Sequence, residues 1–220
     1  MSDHYGLGRL PAIDERDHNF PMAAKLAVEE VLPKHKYWRT GPVLNQGNTS
    51  SCVGHAWRGW LGSAPLMTKK GPDAFAVYNE AQKVDEWPGE EPTVQGTSVR
   101  AGAKVLQDLG HIQEYVWAED VATLKRWVLT KGTVVLGTLW YQEMFAPQRL
   151  GYLWPNFSNE PVGGHAYLCV GYSTWRRAFR FLNSWSRSWG DNGRFWMHEE
   201  VVGALLRDQG EACAAIEKIL

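Results

Sequence analysis

One cysteine sits where a thiol can be made reactive. The stretch LNQGNTSSCVGHAW, residues 44–57, passes from a Gly- and Ser-rich loop into an apolar-periodic run, with Cys52 at the junction. A thiol attacks as its thiolate, and an unperturbed pKa of roughly 8.5 leaves only a few per cent in that form at neutral pH. The unpaired N–H groups and dipole of a helix start stabilise the anion, and a neighbouring imidazolium stabilises it further. His165 can supply that imidazolium. It opens HAYLCVGYS, which TWRR joins to AFRFLNSW. A hairpin turning near residues 174–177 brings His165 beside Asn183, 18 positions later in the chain, because antiparallel pairing sets one strand's start against the other's end. Asn183 can then hold the imidazole's orientation. Cys52, His165 and Asn183 thus fit nucleophile, acid/base and orienter. Gln46, on the loop before the cysteine, offers an amide donor. With the Cys52 N–H it would make a pair able to hold an acyl-transfer oxyanion.

Other candidates are weaker. His55 lies three residues after Cys52 on the same helix, near enough to touch it, but has no visible orienting partner. Cys169 and Cys213 fall in apolar segments and read as small buried hydrophobes.

The elements that must carry these groups follow from periodicity. CVGHAWRGWL places Val53, Ala56, Trp57, Trp60 and Leu61 on one helical face, with Ser50 or Ser51 as a candidate cap. Further helices are expected over residues 71–87, over 97–110 with a left-handed stop at Gly110, and over 120–132. A short helix is expected over residues 21–33, between two prolines, with Met22, Leu26 and Val31 apolar; residues 1–20 read as irregular. Beyond residue 133 the period changes. VVLGTLWY, HAYLCVGYS, RAFRFLNSW and RFWM are rich in β-branched and aromatic residues and read as strands. A helical first half and a strand-rich second half make an α+β protein of two layers or lobes.

Composition narrows the function classes. Hydrophobic residues make up 44% and charged residues 21% of 220, with a net charge of −1, so neither nucleic acid nor an anionic membrane is an expected partner. No N-terminal secretory core or membrane-length apolar run is present. Three cysteines, without CxxC or Cys/His zinc spacing, predict no disulfide framework, no metal and no cofactor. They point to a reducing cytoplasm.

NQGNTSSC resembles the papain-like cysteine peptidase motif, in which Gln, five intervening residues and the nucleophilic Cys follow in order. GGHAYLCVGY is similar to that family's histidine segment, and NSWSRSWGDNGRFW to its asparagine segment. QGTSVRAGAKVLQDLGHI and TLKRWVLTKGTVVLG resemble its intervening helix and strand regions. The likeness covers roughly residues 40–200 and suggests a disulfide-free member of bacterial or phage type.

It implies catalytic Cys52, His165, Asn183 and Gln46, with Trp185 shielding the histidine–asparagine contact. The fold it implies is a helical lobe bearing the nucleophile helix against an antiparallel, barrel-like β lobe. On that basis residues 1–35 are an N-terminal extension, 46–115 the helical lobe and 116–220 the β lobe, within a catalytic domain of 36–220. Gln95, Gly96, Thr97, Ser98, Gly164 and Trp185 are the implied substrate-binding residues. A peptide or protein is the implied substrate, cleaved through a thioester acyl-enzyme. Alternatives are a transglutaminase or cell-wall peptide amidase of the same fold, and an inactive peptide-binding module.

Three departures stand out. Thr49 occupies a position where many relatives have a disulfide cysteine, Ser186 replaces a usual glycine, and Gly164 a usual polar residue. Only 45 residues precede Gln46, fewer than the inhibitory pro-region of many relatives, so control of activity is expected from elsewhere.

Overall fold

The computed structural model describes residues 5–28, 31–87 and 95–217. Three helices form one layer: α1 (Cys52–Leu61), α2 (Ala74–Val84) and α3 (Val99–Asp108). Asp73 and Ser98 cap α2 and α3 by accepting from the N–H groups of Ala76 and Ala101 at 2.9 and 3.1 Å. Such caps stabilise a helix by about 1 kcal/mol each. The start of α1 is different. Ser51 stands at its N-cap position without a capping hydrogen bond, and its hydroxyl turns instead to Thr49 and His55. Ser51 therefore does not compete with Cys52 for the first-turn N–H groups.

Small residues let these helices approach closely. A Cβ on Gly54 would lie 2.1 Å from the Ala74 carbonyl oxygen, and one on Gly102 would lie 2.3 Å from Cδ1 of Trp57. The indole N–H of Trp57 donates to the Val99 carbonyl at 2.9 Å, tying α1 to α3.

The second layer is a seven-stranded antiparallel sheet. Its strands are β1 (His35–Tyr37), β2 (Ile112–Trp117), β3 (Val134–Trp140), β4 (Gly163–Ser173), β5 (Ala178–Leu182), β6 (Arg194–His198) and β7 (Glu211–Glu217). The order is β2-β7-β3-β4-β5-β6, with β1 also paired to β4; β2 and β6 are unjoined, so the sheet stays open. Helices α4 (Val121–Thr130) and α5 (Glu199–Arg207) pack on the far side.

Strand β4 is buried on both faces, which is why HAYLCVGYS reads as a continuous apolar run. Ala166, Leu168 and Val170 join the core beneath α1 and α3. Tyr167 and Cys169 join an aromatic core with Trp140, Phe181, Trp185 and Phe195. The hairpin turns where expected: Ser173 pairs with Ala178 and Leu168 with Leu182, with a register shift between Cys169 and Gly171.

The expected helix over residues 21–33 is not formed. A single 3-10 turn spans Met22–Lys25, and Leu26 is already extended at φ −96°, ψ 141°. Met22 and Leu26 are buried in the aromatic core while Val31 is 98% exposed, so the three apolar residues do not share one face. Residues 29 and 30 of that expectation lie outside the described residues. Strands β1, β2 and β7 and helix α5 are not predicted by the sequence patterns. Residues 5–20, read as irregular, hold one 3-10 turn at Glu15–Asn19 and one bridge, Arg9 to Thr97, and are otherwise without regular structure.

Candidate active site

Cys52 opens α1, and its Sγ accepts from the backbone N–H of Ala166 at 3.4 Å, so the nucleophile candidate lies against β4 one residue from His165. The hairpin brings His165 Nε2 to 2.8 Å from Asn183 Oδ1. That oxygen also accepts from the Ser184 N–H at 2.8 Å, which fixes which end of the amide faces the imidazole. His165 Nδ1 is buried without a hydrogen-bond partner. The ring is clamped: Trp185 stacks on it at 4.5 Å and 24°, and Trp140 meets it edge-on at 4.8 Å.

His55 points elsewhere. Its Nδ1 engages the carbonyl and hydroxyl of Ser51 at 2.9 and 3.1 Å, and its ring packs against Phe75. Cys169 and Cys213 are free thiols buried in the two cores, and burial raises the pKa of each.

Gln46 is held on all sides. Its Oε1 accepts from the Ser184 hydroxyl at 2.6 Å, and its Nε2 donates to the carbonyls of Thr49 at 2.8 Å and Gly6 at 3.0 Å. Gly6 is the unexpected partner. Residues 5–10, YGLGRL, form a strap through the cleft between the layers. The Gly6 carbonyl also accepts from the Trp185 indole at 3.1 Å, and Tyr5 stacks on that indole at 4.8 Å. The N–H groups of Gly8 and Arg9 both donate to the Gly164 carbonyl at 3.0 Å. Thr97 donates to Gly8 at 2.9 Å and accepts from Leu10 at 3.0 Å, a parallel bridge. Contact is so close that a Cβ on Gly6 would lie 1.9 Å from the Thr49 carbonyl oxygen, and one on Gly8 2.1 Å from that of Ser50. Cys52 and His165 have 0% exposure beneath it.

The expected substrate-binding residues divide. Gly164 and Thr97 contact the strap through their backbones, and Trp185 through its indole. Gly96 is at φ +118°, where a Cβ would lie 2.5 Å from the Gly8 carbonyl oxygen. Gln95 accepts from the Ser50 hydroxyl at 3.4 Å, and Ser98 serves as the cap of α3. The sequence reading missed the strap. Its signal is two glycines with alternate spacing in YGLGRL, the pattern of an extended chain pressed against other backbone. Ser186, in place of a usual glycine, has φ +64°, a left-handed conformation that costs a non-glycine residue about 1 kcal/mol.

Burial sets the protonation of the pair in this conformation. Removal from water pushes the Cys52 thiol up to about 12, against weaker help from the Ala166 N–H. It pushes the His165 imidazole down to about 4, against the hydrogen bond to Asn183. Both effects oppose charge on the two groups while the strap is in place. Among the described residues, no group of three or more His, Cys, Asp or Glu side chains is arranged to hold a metal ion, and no helix is long and apolar enough to cross a membrane.

No curated protein matches the chain in sequence. Solved structures do match in fold. Xylellain, a cysteine protease from Xylella fastidiosa, superposes with a TM-score of 0.77 at 21% identity, covering 99% of this chain and 98% of that one. Digestive procathepsin L2 proteinase from Tenebrio molitor larval midgut gives 0.70 at 18% identity, over 97% and 79% of the two chains. Bromelain protease from Ananas comosus, in complex with the E64 inhibitor, gives 0.63 at 14% identity, over 85% and 100%. The model for papain family cysteine proteases matches residues 73–214, a span that contains His165 and Asn183 and begins after Cys52. With that match covering more than half of its length, the chain belongs to the papain family of cysteine proteases.

Proposed function

We propose that the protein hydrolyses peptide bonds through Cys52, His165 and Asn183, with Gln46 and the Cys52 N–H holding the oxyanion. The observation that carries this reading is the His165 ring: Nε2 is held by Asn183 at 2.8 Å while Nδ1, buried and unpartnered, is left for the thiol. In the mechanism, His165 takes the Cys52 proton and the thiolate adds to the substrate carbonyl. The new oxyanion accepts from Gln46 Nε2 and the Cys52 N–H. His165 gives its proton to the departing amine, leaving a thioester on Cys52. It then takes a proton from water, whose oxygen attacks the thioester, and the carboxylic acid and free thiol are released. The Gly6 carbonyl on Gln46 supports the donor assignment, because it is a backbone carbonyl of the kind a substrate presents.

The strap must leave before substrate enters. Exposure to water then lowers the cost of the charged pair, bringing the thiol down and the imidazole up. On this reading residues 1–35 work as an extension that occludes a catalytic unit of residues 36–220, built from lobes of about 46–115 and 116–220.

The test is a digest of a diverse peptide mixture by the full chain and by Cys52→Ala, read by mass spectrometry. New peptide N-termini made only by the wild type are the expected result. Release of ammonia or formation of crosslinks without new N-termini would overturn hydrolysis in favour of amine transfer or amidase chemistry.

A further inference from the structure

The outer face of the sheet gathers positive charge that its own side chains do not balance. Alternation along β5 and β6 sends Phe179, Phe181, Phe195 and Met197 into the aromatic core and leaves Arg180, Arg194 and Trp196 on the other face. These three line a cavity of about 950 Å³, bounded on another side by Pro147, Gln148 and Leu150. None of Gln46, Cys52, His165 and Asn183 lines it, so it lies outside the proposed catalytic site.

Three of the lining side chains are arginines, Arg176, Arg180 and Arg194, and only Asp191 is acidic. Arg180 Nη2 donates to Asp191 Oδ2 at 2.5 Å, while its Nη1 is buried without a hydrogen-bond partner among the described residues. Arg194 donates to the Thr40 hydroxyl at 2.8 Å and to the Asn192 carbonyl at 3.0 Å, both neutral acceptors. Its pKa is lowered by burial and then by repulsion from Arg180. Arg176 and Arg180 lie over the Trp196 ring at 5.1 and 4.8 Å, a cation–π contact that fixes both guanidinium groups at the cavity wall. Two buried arginines elsewhere are matched in charge. Arg9 Nε donates to Glu211 Oε1 at 2.9 Å, and Arg100 pairs with Asp14 at 3.3 Å, Glu86 at 3.2 Å and Asp17.

Three cations against one carboxylate call for a dianion. A phosphate monoester carries close to two negative charges at neutral pH and three terminal oxygens. Those oxygens can accept from three guanidinium groups, whereas a carboxylate has two. The cavity is far larger than one oxyanion and falls in the size range of organic-ligand pockets. Tyr37, Pro147, Leu150 and Trp196 stand ready to receive an apolar body.

We infer that this cavity binds a small organic phosphate monoester, its dianionic group held by Arg176, Arg180 and Arg194 and its apolar part by the aromatic wall. The site stands whether or not Cys52 is a nucleophile.

The test is calorimetric. The full chain carrying Cys52→Ala is titrated with phenyl phosphate in phosphate-free buffer at about pH 7.5, where the monoester is a dianion. The controls are phenyl sulfate, a monoanion of nearly equal shape, and inorganic phosphate, which lacks the ring. Phenyl phosphate should bind about tenfold more tightly than either. Arg180→Gln should weaken it about tenfold or more, the scale of one charge-assisted hydrogen bond. Arg176→Gln, at an exposed position, should weaken it about threefold and keeps the test decisive if Arg180→Gln does not fold.

Equal affinity for phenyl sulfate would overturn the dianion, and equal affinity for inorganic phosphate would overturn the organic body. Full affinity in the arginine variants, or no binding at about 1 mM phenyl phosphate, would overturn the site. A second arm mixes the protein with vesicles of phosphatidylcholine and phosphatidic acid, whose headgroup is also a phosphate monoester. The protein should stay in solution when they are sedimented. Retention that Arg180→Gln abolishes would assign the monoester to a lipid and overturn the small-molecule ligand.

Discussion

The Gly6 carbonyl oxygen lies 3.0 Å from Nε2 of Gln46, on the donor that would hold a substrate oxyanion. That hydrogen bond ties the strap to the proposed oxyanion donor, so on the proposed mechanism closing the cleft occupies a donor that turnover would use.

Weakening the strap at its tightest contact should expose the thiol. A Cβ on Gly6 meets the Thr49 carbonyl at 1.9 Å, and that oxygen belongs to backbone that cannot easily yield. Gly6→Ala should speed alkylation of Cys52 by iodoacetamide by about tenfold or more, a shift of at least 1.4 kcal/mol in the closing equilibrium. Alkylation at the wild-type rate would show that the strap does not limit access.

Gln46 predicts a split between two readouts. Gln46→Ala removes the bond to Gly6 and the proposed oxyanion donor together. Thiol alkylation should quicken, while kcat for peptide hydrolysis falls about 100- to 1,000-fold. A change in both quantities in the same direction would contradict the double role.

On the proposed mechanism Asn183 acts through the histidine ring. Asn183→Ala removes the 2.8 Å partner of His165 Nε2 and should lower kcat about 100-fold or more with KM little changed. Kinetics of single-peptide hydrolysis separate the two constants, and a loss confined to KM would sink the orienting role.

The strap should also respond to pH. His165 sits near 4 when strapped, below its ordinary 6.5. The closed form therefore holds fewer protons than the open form between those values, and acidification through that window favours opening. Protection of the Gly8 and Arg9 amides against hydrogen exchange, measured in Cys52→Ala and corrected for intrinsic rates, should fall about 50-fold from neutral to about pH 4.5. Glu211 pulls the other way, because burial raises its pKa in the closed form. Glu211→Gln should therefore steepen the loss. Flat protection across the window would mean that His165 stays dry after opening.

The helical layer offers a stability test away from the chemistry. Gly102→Ala puts a methyl 2.3 Å from the Trp57 ring, between α1 and α3. Overpacking of this kind costs about 1–3 kcal/mol, and urea denaturation should show a lower midpoint. Gly110→Ala, where nothing lies within 4 Å and φ is +74°, should cost about 1 kcal/mol through backbone strain alone.

Local patterns made much of the fold legible. The hairpin joining His165 to Asn183 could be read because Thr174–Arg177 interrupts two apolar runs and fixes which ends meet. Helices α2, α3 and α4 announce themselves through Asp73, Ser98 and Asp120, each an N-cap just ahead of an apolar stripe. Helix α5 does not, because its cap is His198 and it follows β6 without a break. Strand β7 was hidden for another reason: EACAAIE alternates weakly in hydropathy and takes its burial from both layers. The alternate glycines of YGLGRL mark a closely packed segment, but where it docks was illegible, because its bonds run to Gln46, Thr97, Gly164 and Glu211, all remote in sequence. Pairings of that kind leave no local period. The charged pair is expected from a cysteine at a helix start and a histidine held by an asparagine, and neither signal reports that a third segment lies over them.

Because YGLGRL is carried on the same chain as the cleft, it is a competitor that dilution never weakens. Any peptide offered from solution contends with a tethered ligand, and its apparent affinity is its intrinsic affinity scaled by the fraction of molecules with the cleft open. Two preparations differing only in the integrity of those six residues should therefore differ in apparent KM for every substrate by one common factor, whatever the peptide's sequence.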